Sequence, residues 1–240
     1  MSVYETLKVE ILNRVATVTM NRPDIRNAFD AKMIGELTAA FNTISDNDAV
    51  AVVVFRGEGK SFCSGADLGY MKTMAGFTFE QNEADAQALD RMFWAIRTCA
   101  QPIVGHLHGH VMGGGVGLAA LCDVALAVEG TQFCFSEVRL GLAPAVISPY
   151  VLEKMAHAHA RRYMLTAEVF DTRTALESGL IQFAGDAASV ESHLNEIVKA
   201  LLHNGPEAVR ATKSLLRELD MNPDWPTTRS LTVRTISERR

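Results

Sequence analysis

Cysteine is scarce in this chain, with four in 240 residues and no C-x-x-C pair. Cys63, Cys99, Cys122 and Cys134 sit mostly among apolar neighbours. They read as buried thiols of a reducing compartment, which argues against a disulfide framework. Cys63 lies beside a glycine turn where a nucleophilic thiol is conceivable, but no histidine or other base is near it in sequence. No linker rich in Pro, Gly or Ser divides the chain, and neither a repeat nor a low-complexity tract is visible. No run approaches the roughly eighteen apolar residues of a membrane-spanning helix. The opening Met1-Ser2-Val3-Tyr4-Glu5 lacks the basic and apolar segments of a secretory leader. Excess positive charge is missing too. Lys and Arg number 23 against 28 Asp and Glu, a net charge of −5, with no basic stripe of the kind that binds nucleic acid. These absences lead us to expect a cytoplasmic protein with neither nucleic acid nor membrane as partner.

What is present is globular material. Hydrophobic residues make up 48% and charged residues 21%, which excludes a mainly disordered or fibrous chain and allows a large core. Val9–Leu12 and Val15–Met20, separated by Asn13-Arg14, read as a hairpin. Residues 31–45 carry Met33, Leu37, Ala40, Phe41 and Ile44 at helical spacing. The run Val50–Phe55 is continuously apolar, as in a buried parallel strand, and a turn is expected over 56–60. A helix over 80–99, a strand from Ile103, a helix over 118–122 and a strand over 124–128 follow. Further helices are expected over 158–165, from Asp171 to Gly179, and from Pro206 to about Leu219. Strand and helix alternate, so the fold class is α/β with parallel strands and a helical C-terminal layer.

Several motifs are missing. There is no G-x-S-x-G, S-x-x-K, H-E-x-x-H or Walker G-x-x-x-x-G-K-[ST], which argues against serine hydrolases, zincins and P-loop NTPases. Gly115–Ala120 satisfies G-x-G-x-x-[GA], with Glu137 twenty positions after Gly117. A dinucleotide fingerprint normally lies in the first βαβ unit, however, and three consecutive glycines satisfy many patterns. His106, His108 and His110 alternate and would share one face of a strand, a geometry open to a metal, but no acidic or thiol cluster accompanies them.

Two glycine turns and one carboxylate remain. Ser61-Phe62-Cys63-Ser64-Gly65-Ala66-Asp67-Leu68 follows a buried strand, and Gly113-Gly114-Gly115 follows another and precedes an apolar helix. Each is either an ordinary strand-to-helix turn or the source of a backbone N–H aimed into a cleft. Two such donors together would hold an oxyanion. Glu137 stands in an apolar segment, where desolvation raises a carboxyl pKa and suits it to acid/base work, unless it is a surface residue paired with Arg139.

At these residues the chain resembles the crotonase, or enoyl-CoA hydratase/isomerase, superfamily. The resemblance is carried by Asn21-Arg22-Pro23 with Arg26-Asn27-Ala28, by Phe62–Leu68, and by His108-Gly109 with Gly113-Gly114-Gly115. It continues through Cys122-Asp123, Phe135–Leu142 with Pro144, Arg161-Arg162-Tyr163, residues 175–180 and residues 206–216. The segment 136–150 is similar to a methylglutaconyl-CoA hydratase-like branch. The resemblance implies a spiral of ββα units with 1–195 as core and 196–240 as a C-terminal helical trimerisation segment, effectively one domain. It implies a homotrimer or hexamer, an acyl-CoA thioester substrate, and no cofactor beyond the CoA of that substrate. It assigns the oxyanion N–H groups to Ala66 and Gly114, acid/base work to Glu137, and CoA contacts to Arg26, Ala28, Ser64, Asp67 and Leu68. Gly113, Gly141 and Ala145 complete the expected site. The reaction implied is hydration of a 2-enoyl-CoA. The alternatives are a Δ3-Δ2 isomerase or a non-catalytic acyl-CoA binder.

Three departures stand out. Hydratases of the family carry a second glutamate where this chain has Gly117. A glycine whose N–H helps orient water is replaced by Ala145, which still has an N–H. Relatives continue into a helix covering the acyl pocket, so a chain ending at Arg240 leads us to expect either a more open site or a shorter C-terminus than usual.

Overall fold

The computed structural model describes residues 4–74 and 76–221. The chain opens with an antiparallel hairpin, β1 (Leu7–Leu12) and β2 (Val15–Met20). Asn13 and Arg14 join the two strands with positive φ (49° and 67°) at both positions, the geometry of a two-residue type I′ loop. Strands β3 (Val52–Gly57), β4 (Ile103–Leu107), β5 (His110–Met112), β6 (Val124–Val128), β7 (Gln132–Cys134) and β8 (Phe183–Gly185) follow. The main sheet has the order β1-β2-β3-β4-β6-β8 and is parallel from β2 onward. A smaller parallel sheet pairs β5 with β7. Strand β3 continues two residues past the expected Phe55, because Arg56 pairs with His106 on one side and Gly57 with Met20 on the other.

The helices are α1 (Ala31–Ser45), α2 (Leu68–Met74), α3 (Phe79–Thr98), α4 (Gly114–Ala120), α5 (Ser148–Lys154), α6 (His157–Thr166), α7 (Thr172–Glu177), α8 (Ala187–His203) and α9 (Pro206–Met221). Side-chain caps start several of them. Asp30 accepts from Met33 N, Asp171 from Thr174 N and Asp186 from Ser189 N, and Thr78 with Gln81 forms a capping box on α3. One face of the sheet buries Val18, Val53, Phe55, Ile103 and Ala125 in the large core with α1, α3 and α4. The other face buries Val52, Val54, Val104 and Leu126 with Val190, Leu194 and Val198 of α8. Strands covered on both sides must be apolar throughout, which explains the unbroken run from Val50 to Phe55.

The α/β reading with a spiral course holds. Each of β4 and β6 enters the main sheet, and the segment after it, β5 or β7, enters the small sheet. The segment after β3 does the same in miniature, with Cys63 bridging Val111 of β5. The boundary expected between 195 and 196 falls inside α8, which runs unbroken across it because its apolar stripe packs on the sheet along its length. Residues 222–240 of the expected C-terminal segment lie outside the described residues.

Candidate active site

Two loops form one wall of a cleft. In the loop before α1, Arg26 and Asn27 both adopt left-handed φ (54° each). This loop is bonded strand-fashion to the one after β3. Ser64 N donates to Arg26 O (2.9 Å), Phe29 N to Gly65 O (2.9 Å) and Asp67 N to Phe29 O (3.0 Å). Fully buried Asn27 donates to Glu58 O and Ser61 O and accepts from Arg22 N. Arg22 pairs with Asp30 (3.0 Å) and Asp67 (3.1 Å) and donates to Ala28 O (2.7 Å). The other carboxylate oxygen of Asp67 accepts from Gly69 N and Tyr70 N at the start of α2.

The second glycine turn is tied to the first. Met112 N donates to Cys63 O (2.9 Å) and Cys63 N to His110 O (3.1 Å). Gly65 has φ +88°, and a Cβ there would lie 2.8 Å from Met112 O and 3.5 Å from Gly114 N, so the two turns meet at this residue. The neighbouring N–H groups are engaged: Gly65 with Cys63 Sγ, Asp67 with Phe29 O, and Gly113 with Cys134 O. The Ala66 and Gly114 N–H groups have no acceptor among the described residues. Gly114 N–H is moreover one of the orphan donors at the start of α4. Two unpaired donors on touching turns suit an oxygen that gains negative charge.

Glu137 opens a short 3-10 turn, Glu137–Leu140, just past β7. Its carboxylate lies against the second turn, where a Cβ on Gly113 would sit 3.3 Å from Glu137 Oε1. Glu137 Oε2 is buried with no hydrogen-bond partner among the described residues. Burial pushes the carboxyl above its ordinary pKa, opposed by a hydrogen bond from its own backbone N–H. The pairing with Arg139 conceivable from the sequence is not made, since Arg139 donates to Ala167 O (2.6 Å).

The cleft has a volume of about 560 Å³. Arg26, Ala28, Ser64, Ala66, Asp67 and Leu68 line one side, and Gly113, Gly114, Glu137 and Ala145 the other. Gly141 does not line it; with φ 72° it ends the 3-10 turn, and its neighbours Leu140 and Leu142 face the cleft instead. The Ala145 N–H, expected to be available to water, donates to Ala143 O (2.8 Å). The Asp67 carboxylate is committed to Arg22 and to the start of α2, so only the rest of that residue is free for a ligand. Sequence reading passed over Tyr70 and Asp85, which also line the cleft and hydrogen-bond to each other. They lie fifteen positions apart on two helices, and no local pattern joins them.

Three other sequence possibilities are resolved by geometry. Cys63 is fully buried, its thiol is pushed up to about 12 by desolvation, and it donates to Asn27 O. That is a structural thiol, not a nucleophile. Gly115 and Gly117 lie inside α4, where a Cβ would strike Cys63 O at 2.5 Å and Ile147 Cγ2 at 2.5 Å respectively. They are close-packing glycines and present no phosphate cradle. His106 and His108 stay side by side, their ring centroids 5.9 Å apart, while His110 lies past the turn at Gly109 (φ +62°), and no third ligand joins the pair among the described residues. His106 faces Glu191, His108 Gly59 O and His110 Ser61 Oγ.

A protein-family model described as enoyl-CoA hydratase/isomerase matches residues 10–236. An enoyl-CoA hydratase of Alternaria alternata is 34% identical over 212 residues, covering 87% of this chain and 69% of that one. An enoyl-CoA hydratase structure from Shewanella pealeana superposes with TM-score 0.93 at 37% identity, covering 98% of this chain and 88% of that one. AtuE of Pseudomonas aeruginosa superposes with TM-score 0.93 at 35% identity, covering 98% and 91%.

Proposed function

The chain belongs to the enoyl-CoA hydratase/isomerase family, and from that premise we propose that it adds water across the double bond of a 2-enoyl-CoA. The thioester carbonyl oxygen lies between the Ala66 and Gly114 N–H groups. This polarises the conjugated system and opens the β-carbon to attack. Glu137 takes a proton from water as the water oxygen bonds to that carbon. The resulting enolate oxygen is held by the two N–H donors, and Glu137 returns the proton to the α-carbon. Losing one such donor typically costs about 3–4 kcal/mol of barrier. Arg26, Ala28, Ser64 and Leu68 follow the CoA side of the cleft, and Asp67 positions that wall through Arg22. No separate cofactor takes part, and the chain works as a trimer or a hexamer.

One observation carries the reading: a half-buried glutamate whose Oε2 is buried without a partner, set against the turn that holds an unpaired N–H. The test is hydration of crotonyl-CoA, followed as loss of enoyl absorbance, by the wild type and Glu137→Gln. The expected result is turnover that falls about 10²–10⁴-fold in the variant. Undiminished activity would remove Glu137 from the mechanism, and tight CoA binding without turnover of any enoyl-CoA would indicate a binding protein.

A second reading, Δ3-Δ2 isomerisation, is favoured by the surroundings of Gly117. A Cβ there would lie 2.5 Å from Ile147 Cγ2 and 2.7 Å from Phe93 Cε1, so apolar side chains fill the space of a second carboxylate. One carboxylate suffices to move a proton between carbons. Double-bond migration in a 3-enoyl-CoA without net water uptake would select it. The finer expectation of a methylglutaconyl-CoA substrate meets an obstacle. Asp85 lies in the cleft wall, and Arg26 is the sole basic residue lining it among the described residues.

A further inference from the structure

Helix α3 presents Phe93, Leu89 and Asp85 to the cleft in succession. Positions four apart share a helix face and are separated by about 6 Å along the axis, so Asp85 stands about 12 Å from Phe93. Phe93 marks the reacting end, because its ring packs where a side chain on Gly117 would project, three residues after the Gly114 N–H. Opposite α3, helix α2 lines the cleft with Leu68, Tyr70, Met71 and Met74. The Tyr70 hydroxyl donates to Asp85 Oδ1. Both residues are half-buried in a wall that the same two helices otherwise make apolar. Asp67 fixes the start of α2, accepting from Gly69 N and Tyr70 N, so the wall that carries Arg22 also holds Tyr70 in place.

With its one proton given to Asp85, Tyr70 offers the cleft lone pairs only, and the second oxygen of Asp85 offers the same. The pair is negative and accepts hydrogen bonds. We infer that Tyr70 and Asp85 read the far end of the acyl group, accepting a hydrogen bond from a hydroxyl there and rejecting a carboxylate. This rests on the acyl-CoA reading of the cleft and assigns it a substrate class: acyl groups carrying a hydrogen-bond donor well away from the thioester. A site built to pair with a substrate hydroxyl discriminates against the analogue lacking it, because its own polar atoms are then left desolvated.

The test measures binding of three saturated medium-chain acyl-CoA esters of one length, ending in methyl, hydroxyl or carboxylate, by titration calorimetry with the full chain. Saturated esters do not react, so affinity is read apart from turnover. The wild type is expected to bind the hydroxyl ester about tenfold more tightly than the methyl ester, and the carboxylate ester about tenfold more weakly. Asp85→Leu should abolish both differences. Isosteric Asp85→Asn, which still accepts from Tyr70, should relieve the carboxylate penalty. Loss of affinity for all three esters by one common factor would make the pair a strut between α2 and α3 and overturn the inference, as would equal wild-type affinities. Crotonyl-CoA hydration by the wild type separates the two levels. Hydration without tail preference defeats only the present inference, and tail preference without hydration defeats only the catalytic reading.

Discussion

Glu137 holds its proton more tightly in the folded chain than in an unfolded one, because burial disfavours its charged form. As a base it must be ionised. Hydration kcat/KM should therefore rise with pH through that raised pKa, with its acid limb above the ordinary carboxylate range. The linkage to stability has the opposite sense. A raised folded-state pKa favours folding below the ordinary carboxylate value, and that contribution is lost as pH climbs through the raised one. Glu137→Gln should thus raise the thermal midpoint at neutral pH, with the gain vanishing in acid, while activity falls. A midpoint difference independent of pH in scanning calorimetry would show that the charge is not what burial penalises. Gly65→Ala tests the contact between the turns. Its φ of +88° and the 2.8 Å approach to Met112 O predict a loss of about 1–3 kcal/mol together with reduced kcat, checked by denaturant titration and initial rates. Glu137, Ala66 and Gly114 were named by the resemblance of short motifs, and the structure brings the three segments that carry them together although they lie tens of positions apart in sequence. Asn27 and Arg22 were legible only as motif letters. Their partners Ser61 and Asp67 lie 34 and 45 positions away, and no local pattern encodes such bonds.

Elements with strong periodicity or caps were readable, α1 to its ends and α6 and α7 within a residue or two. Helix α4 starts four residues earlier than its apolar run suggests, since its glycines have poor helix propensity and are held by packing on Cys63, Ile147 and Phe93. Helix α8 had both signals, Asp186 as cap and Val190, Leu194 and Val198 at helical spacing, and went unread. Strands β5 and β7, at three residues each, and α2, at seven, are too short to carry a period. They exist through the contacts that assemble the site. Asn27→Ala should loosen that assembly. It strands the Arg22 N–H and the Glu58 and Ser61 carbonyls, a loss of about 3 kcal/mol that a calorimetric midpoint would report. Packing of α4 is checked by Gly117→Ala, expected to cost about 2–3 kcal/mol as overpacking against Ile147 and Phe93, and only part of that in an Ile147→Ala background, where the Phe93 contact remains.

Across the whole molecule, the net charge of −5 does not oppose the anionic CoA of the proposed substrate, whose contacts would be local, and Arg26 lies in the cleft wall where it could meet that charge. Among the described residues no helix is long and apolar enough to cross a membrane. Val138, in the 3-10 turn of the site, stands exposed outside the cleft, and that turn packs on α6, whose Leu165 is exposed as well. Self-association would cover this apolar surface, so sedimentation velocity should find three or six chains together; a single chain at micromolar concentration would count against that assembly. The filled space beside Gly117 also constrains the history open to such a chain. An acidic side chain at 117 is accommodated only after both Ile147 and Phe93 have given way, so the substitutions are epistatic and their order matters. A lineage moving toward two-carboxylate chemistry must first open a cavity at some expense of stability. The reverse order passes through an overpacked intermediate that selection would remove.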